Sequence, residues 1–206
     1  MFVKVCGLKS ERAVQAAVEA GADALGFVFA RSPRQVSPEQ AVALTCKLPA
    51  GIVRVAVMLH PSVAEWNRVL EVFKPDWLQA DADDFALLSV PADVIRLPVY
   101  RDKAPHAPEQ PGFVWPERLL FEGARSGAGL KPDWNMAARI AGQTKMLLAG
   151  GLNPENVREA IRVVNPWGVD VSSGVESSPG IKDPDRIAAF VAAARQNEGA
   201  HAGRYH

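Results

Sequence analysis

The chain has 206 residues, 48% of them hydrophobic, and its 23 Lys and Arg offset 23 Asp and Glu. That is enough to bury one sizeable core, and a neutral balance without basic clusters interleaved with aromatics argues against a nucleic-acid partner. No apolar run approaches the ~18 residues of a bilayer span, so no membrane partner is expected either.

Taken in chain order, short apolar runs at 2–6, 24–29, 52–58, 76–79, 93–97, 118–122, 145–149 and 167–171 read as strands. Amphipathic patterns at 10–20, 37–47, 61–73, 82–88, 133–142, 153–163 and 183–196 read as helices. The opening residues enter a strand directly, without the basic and apolar regions of a secretory signal. Two cysteines, Cys6 and Cys46, make neither a disulfide framework nor a metal spacing. A reducing, cytoplasmic location and no metal are therefore expected.

The first strand ends in Val5-Cys6-Gly7. A thiol at the C-terminal tip of a barrel strand stands where that architecture places chemistry, and it can act as a base if its pKa is drawn toward neutrality. A small buried hydrophobe is the plainer role for such a residue. Lys4 shares a strand face with Cys6; pointing into the interior, it needs a partner. Asp170 becomes its neighbour if strand 8 closes on strand 1, a pairing that would orient the site and favour the thiolate.

After strand 2, Arg34 precedes a helix whose start, Ser37-Pro38-Glu39-Gln40, is a capping box with Pro at the first helical position. Arg34 there can clamp a carboxylate with its fork of donors, with Arg31 as a substitute; a surface salt bridge is the plainer role. Gly21 reads as a helix stop. Val63, Trp66, Val69, Leu70 and Phe73 form an apolar stripe that faces the core. Cys46 reads as a packing residue, and His60, His106, His201 and His206 as turn or tail residues.

Strand 6 ends Leu119-Leu120-Phe121-Glu122, followed by a loop containing Gly127 and Gly129. Glu122 can serve as a general acid if partial burial raises its pKa, and the glycines allow a loop that folds over a ligand. Gly150 and Gly151 follow strand 7, and Ser172, Ser173 and Gly174 follow strand 8. Loops after strands 7 and 8 of such barrels commonly bind phosphate through backbone amides and hydroxyls. Asn153-Pro154-Glu155 and Asp183-Pro184-Asp185 read as capped helix starts.

Strand–helix units repeated about eight times define a single (β/α)8 TIM barrel of class α/β over residues 1–198, with a disordered tail at 199–206. A doubly wound sheet usually carries a glycine fingerprint after its first strand, and Cys6-Gly7-Leu8-Lys9 is not one. Pro98, Pro105, Pro108, Pro111 and Pro116 lie between strands 5 and 6, so helix 5 is expected to be short or missing.

Lys4-Val5-Cys6-Gly7-Leu8, Gly26-Phe27-Val28-Phe29 with Ser32-Pro33-Arg34, Ala149-Gly150-Gly151-Leu152-Asn153-Pro154-Glu155-Asn156 and Gly168-Val169-Asp170-Val171-Ser172-Ser173-Gly174-Val175-Glu176 together resemble phosphoribosylanthranilate isomerases of tryptophan biosynthesis. The resemblance runs from strand 1 to strand 8. It implies a cofactor-free barrel, monomeric or homodimeric. The implied reaction is the Amadori rearrangement of N-(5-phosphoribosyl)anthranilate to 1-(o-carboxyphenylamino)-1-deoxyribulose 5-phosphate.

By the same resemblance, Cys6 is the general base and Arg34 holds the anthranilate carboxylate. Asp170 lines the site, and Gly150, Gly151, Ser172 and Ser173 bind phosphate. The family's acid is an Asp within a Leu-Leu-Asp run, whereas here Glu122 stands one position later. Gln79-Ala80-Asp81-Ala82 replaces the family's Gln-Leu-His-Gly. Two alternatives remain: a phosphosugar isomerase of the histidine-biosynthesis type, against which Cys6 speaks because that enzyme uses two aspartates, and a catalytically silent phosphate-binding barrel, which the altered strand 6 favours.

Overall fold

The structure, a computed structural model, describes residues 1–102, 113–123 and 131–196. Eight parallel strands close into a barrel in sequence order: β1 (Phe2–Cys6), β2 (Ala24–Val28), β3 (Val53–Val57), β4 (Trp77–Asp81), β5 (Ile95–Arg101), β6 (Arg118–Glu122), β7 (Lys145–Leu148) and β8 (Gly168–Val171). Closure comes from β1 pairing with β8, with Lys4 in register with Asp170. The helices are α1 (Glu11–Glu19), α2 (Pro38–Thr45), α3 (Val63–Phe73), α4 (Trp134–Ala141), α5 (Val157–Val164) and α6 (Pro184–Arg195). None is long and apolar enough to cross a membrane.

The period-two alternation of the strands divides the molecule into two apolar layers. Val3, Val5, Leu25, Phe27, Leu119, Phe121 and Val169 point outward, packing with Trp66 and Phe73 of α3 and Phe190 of α6. Ala24, Val55, Leu97, Leu120 and Leu147 fill the barrel. Phe2, Trp77 and Trp167 stack at its N-terminal end, with Phe2 centred 5.3 Å from Trp77 and 4.5 Å from Trp167. That plug closes one end and leaves the C-terminal end as the open one.

Capping chemistry sets most helix starts. Ser37 Oγ accepts from Gln40 N at 3.1 Å while Gln40 Oε1 accepts from Ser37 N at 2.8 Å, as expected from the sequence. Ser62 and Glu65 make a second capping box, and Asp183 caps α6 with Pro184 at its first position.

Several expectations are corrected. The segment 82–88 forms only a 3-10 turn, Ala82–Ala86: its acidic residues offer little apolar face, and Leu87 stays exposed. The helix expected from Asn153 starts four residues later at Val157, because Asn153 and Asn156 exchange side chain–backbone bonds of 2.9 Å in both directions and hold 154–156 as a turn.

Strand 5 runs on to Arg101. Pro98 forgoes a ladder bond yet stays in register with Ala80. In the α3 stripe, Val63 is exposed while Trp66, Val69 and Phe73 are buried. Cys46 is exposed at the end of α2 rather than packed. The expected loss of helix 5 falls largely on 103–112, and the tail at 199–206 and His106, His201 and His206 also lie outside the described residues.

Candidate active site

The open end of the barrel holds a cavity of about 370 Å³. Among the residues lining it are Cys6, Arg34, Glu122, Gly150, Gly151, Asp170, Ser172 and Ser173. Residues from the ends of β1, β6 and β8 and the loops after β2, β7 and β8 thus converge there. Gly174 is not among the lining residues: a Cβ there would collide with the Leu152 carbonyl oxygen, so it lets the β8 loop pack against the β7 loop. Gly127 and Gly129 lie outside the described residues.

Cys6 is buried, at 6% exposed, and borders the cavity at the open end. Space for the sulfur comes from Gly26, whose added Cβ would sit 2.9 Å from Cys6 Sγ and 3.1 Å from Cys6 Cα. Gly26→Ala is therefore expected to displace the thiol and lower kcat by about 10²-fold. Steady-state kinetics on the folded variant checks this; unchanged kcat refutes it.

Beneath Cys6, Lys4 Nζ donates to Asp170 Oδ1 at 2.7 Å, with Lys4 fully buried. The expected partnership across the barrel seam is present, but its electrostatic consequence differs. Burial pushes the Cys6 thiol above its ordinary value; Lys4 and Lys182 pull it down, Asp170 adds to the rise, and burial prevails. Burial likewise pulls Lys4 down, but Asp170 overcomes this and the ammonium ends raised. The thiol is thus held protonated near neutrality rather than activated in advance.

Arg34 stands at the cavity edge and donates from Nε to Glu176 Oε1 at 2.7 Å and from Nη2 to Glu176 Oε2 at 2.9 Å. Gly7 lies under it with φ +77°, and a Cβ there would meet Arg34 Cδ at 2.6 Å. Burial alone would raise the Glu176 carboxyl, but hydrogen bonds from Arg34 and Lys182 bring it down to about 2.

Glu122 is buried at the tip of β6, where Arg101 Nε approaches its Oε1 at 3.2 Å. Arg101 also reaches Asp81 Oδ1 at 2.7 Å. Glu122 is thus paired with a guanidinium that the sequence pattern did not indicate. His60 bridges Asp84, at 3.0 Å, and Asp81, at 3.4 Å, and a hydrogen bond to Asp84 raises its pKa.

Gln79, Asp81, Glu176, Lys182, Arg101 and Gly26 were not singled out for roles. Gln79 borders the cavity with Oε1 buried and without a hydrogen-bond partner among the described residues. Its period-two spacing from Asp81 at a strand tip was the available signal. No comparable local signal marked Glu176 or Lys182, whose partners lie on other elements.

A closed eight-stranded barrel whose open rim gathers a thiol, a carboxyl, an arginine fork and two glycine- and serine-bearing loops defines a phosphosugar-type (β/α)8 enzyme. A profile described as N-(5'phosphoribosyl)anthranilate (PRA) isomerase matches residues 3–193, and the chain belongs to that family.

It is 37% identical to the N-(5'-phosphoribosyl)anthranilate isomerase of Parvibaculum lavamentivorans, covering 94% of this chain and 98% of that one. It is 39% identical to that of Paracoccus denitrificans, covering 93% and 96%. Among solved structures, phosphoribosyl anthranilate isomerase from Thermotoga maritima is similar with a TM-score of 0.78 at 31% identity, covering 94% of this chain and 98% of that one. A phosphoribosyl anthranilate isomerase in complex with reduced 1-(o-carboxyphenylamino)-1-deoxyribulose 5-phosphate gives a TM-score of 0.73 at 30% identity, again covering 94% and 98%.

Proposed function

We propose that this barrel isomerises N-(5-phosphoribosyl)anthranilate in tryptophan biosynthesis, with Cys6 as base and Glu122 as acid. Family membership carries the reaction. For the residue roles, the supporting observation is that Cys6 and Glu122 line one cavity from strands on different sides of the barrel.

Each residue takes one step in this reading. Backbone amides of Gly150 and Gly151 and the hydroxyls of Ser172 and Ser173 receive the phosphate, as glycine-rich loops do. Arg34 takes the anthranilate carboxylate. Glu122 protonates the furanose ring oxygen, the C1′–O bond breaks, and the nitrogen lone pair forms a protonated Schiff base. Cys6 then removes the C2′ proton, the C2′–H electrons flow toward nitrogen, and the enolamine tautomerises to the ketone.

The iminium cation matters for the thiol. A positive charge next to Cys6 favours the thiolate, opposing the burial that keeps it protonated. The base is thus activated by the intermediate on which it acts, the S–H proton passing to water at the open end before the thiolate takes the C2′ proton.

Glu122→Gln preserves shape and removes the proton. It is expected to lower kcat by about 10²-fold or more, measured by the rate of product formation on purified protein. Near-normal turnover would exclude Glu122 as the acid. Growth of a tryptophan auxotroph lacking the isomerase tests the activity itself; no growth with soluble, folded protein refutes it.

A further inference from the structure

Lys182 is a buried cation outside the proton transfers. It lies on β10 (Ile181–Lys182), which pairs antiparallel with β9 (Glu176–Ser178) in a small hairpin after β8. Its side chain is 1% exposed. Nζ donates to Glu176 Oε1 at 2.8 Å, to the Ser172 carbonyl oxygen at 2.9 Å and to Ser172 Oγ at 3.3 Å. Those three acceptors match the three N–H bonds of an ammonium.

The acceptors belong to two residues, Glu176 and Ser172, at two ends of the substrate site. Glu176 grips Arg34 through the Nε–Nη2 edge and also accepts from Gly180 N at 3.1 Å. That fixes the guanidinium plane and leaves its Nη1 side for a carboxylate. Ser172 borders the cavity on the phosphate side. Because its Oγ accepts from Lys182, its own O–H hydrogen is directed elsewhere and can be given to an anion. The hairpin is seated against the Arg34 loop: a Cβ on Gly180 would lie 2.5 Å from the Pro33 carbonyl oxygen, and Lys9 Nζ donates to that same oxygen at 3.0 Å.

We infer that Lys182 is the positioning residue that couples the two recognition ends, holding Arg34 through Glu176 and the phosphate loop through Ser172. Retaining a charge in a dry site is costly unless it is fully bonded. Here the bonding runs to both ends of the site, which a purely local clamp would not require. The proposal rests on the isomerase reading, in which a carboxylate and a phosphate are bound at once.

The test uses inorganic phosphate and anthranilate as separate competitive inhibitors of the isomerase. Lys182→Met is expected to weaken inhibition by each probe about tenfold, and Glu176→Gln to weaken anthranilate about tenfold with phosphate within about twofold. Lys182→Arg, which keeps the charge, should recover part of both losses. A structural role alone lowers the folded fraction without changing either inhibition constant. Constants within about twofold of the parent for both probes in folded Lys182→Met, or a loss confined to one probe, overturn the coupling. If Lys182→Met does not fold, Lys182→Arg decides: the coupling requires a smaller loss on both probes, and unchanged constants refute it. An inactive parent protein would instead refute the isomerase reading, a separate result.

Discussion

Replacing Cys6 by alanine is expected to lower kcat by about 10²–10⁴-fold, the range of a lost general base, with KM changed only a fewfold. Gly26 leaves room at this position and the side chain is small, so the fold should tolerate the change. The pH dependence gives a sharper prediction. Burial raises the thiol above its ordinary value in spite of Lys4 and Lys182, and the reactive form is the thiolate.

Below that raised pKa the thiolate fraction grows tenfold per pH unit. Consequently the thiolate limb of kcat/KM, which reports the free enzyme, should climb from neutrality into the alkaline range in Glu122→Gln, where no carboxyl titrates against it. A profile flat between about pH 7 and 9 in that variant would refute Cys6 as the base. The rise in kcat should begin at lower pH, because the substrate iminium favours the thiolate in the complex.

The second large effect concerns stability. Asp170→Ala leaves the Lys4 ammonium buried without its 2.7 Å partner, and breaking such a pair typically costs about 3–5 kcal/mol. Urea denaturation should show this directly. The double variant Lys4→Met with Asp170→Leu should recover most of the loss, since buried pairs can be replaced by apolar residues of similar volume at little cost. A loss below about 1 kcal/mol in the single variant, the size of an exposed pair, would mean that Lys4 sheds its proton or finds another partner at little cost. The double variant is still expected to isomerise poorly, because Asp170 borders the cavity.

Much of the site was readable because barrel geometry constrains it. Strand tips carry the chemistry, so Cys6, Glu122, Ser172 and Ser173 could be placed by position alone. Lys4–Asp170, separated by 166 residues in sequence, was also legible, since closing the barrel necessarily puts strand 8 beside strand 1. Arg34–Glu176 was not, although it spans a similar 142 residues. No periodic rule tells a loop arginine which carboxylate will meet it, and Arg34, which reads as a carboxylate clamp or a surface salt bridge, commits two of its five N–H donors to Glu176. Gly174 reads as substrate-binding from its place in a serine-glycine loop; the neighbouring Leu152 carbonyl adds that no side chain fits there.

Local chain chemistry by itself determined the eight barrel strands, most of the helices between them and the caps at Ser37 and Asp183, because these depend on residue periodicity and on bonds between near neighbours. The three-dimensional packing decided the rest: that burial outweighs two ammonium groups at Cys6, that Arg101 stands against Glu122, and that Lys182 ties Ser172 to Glu176. Desolvation and charge pairing are set by what surrounds an atom, and those surroundings come from segments that meet only when the barrel closes.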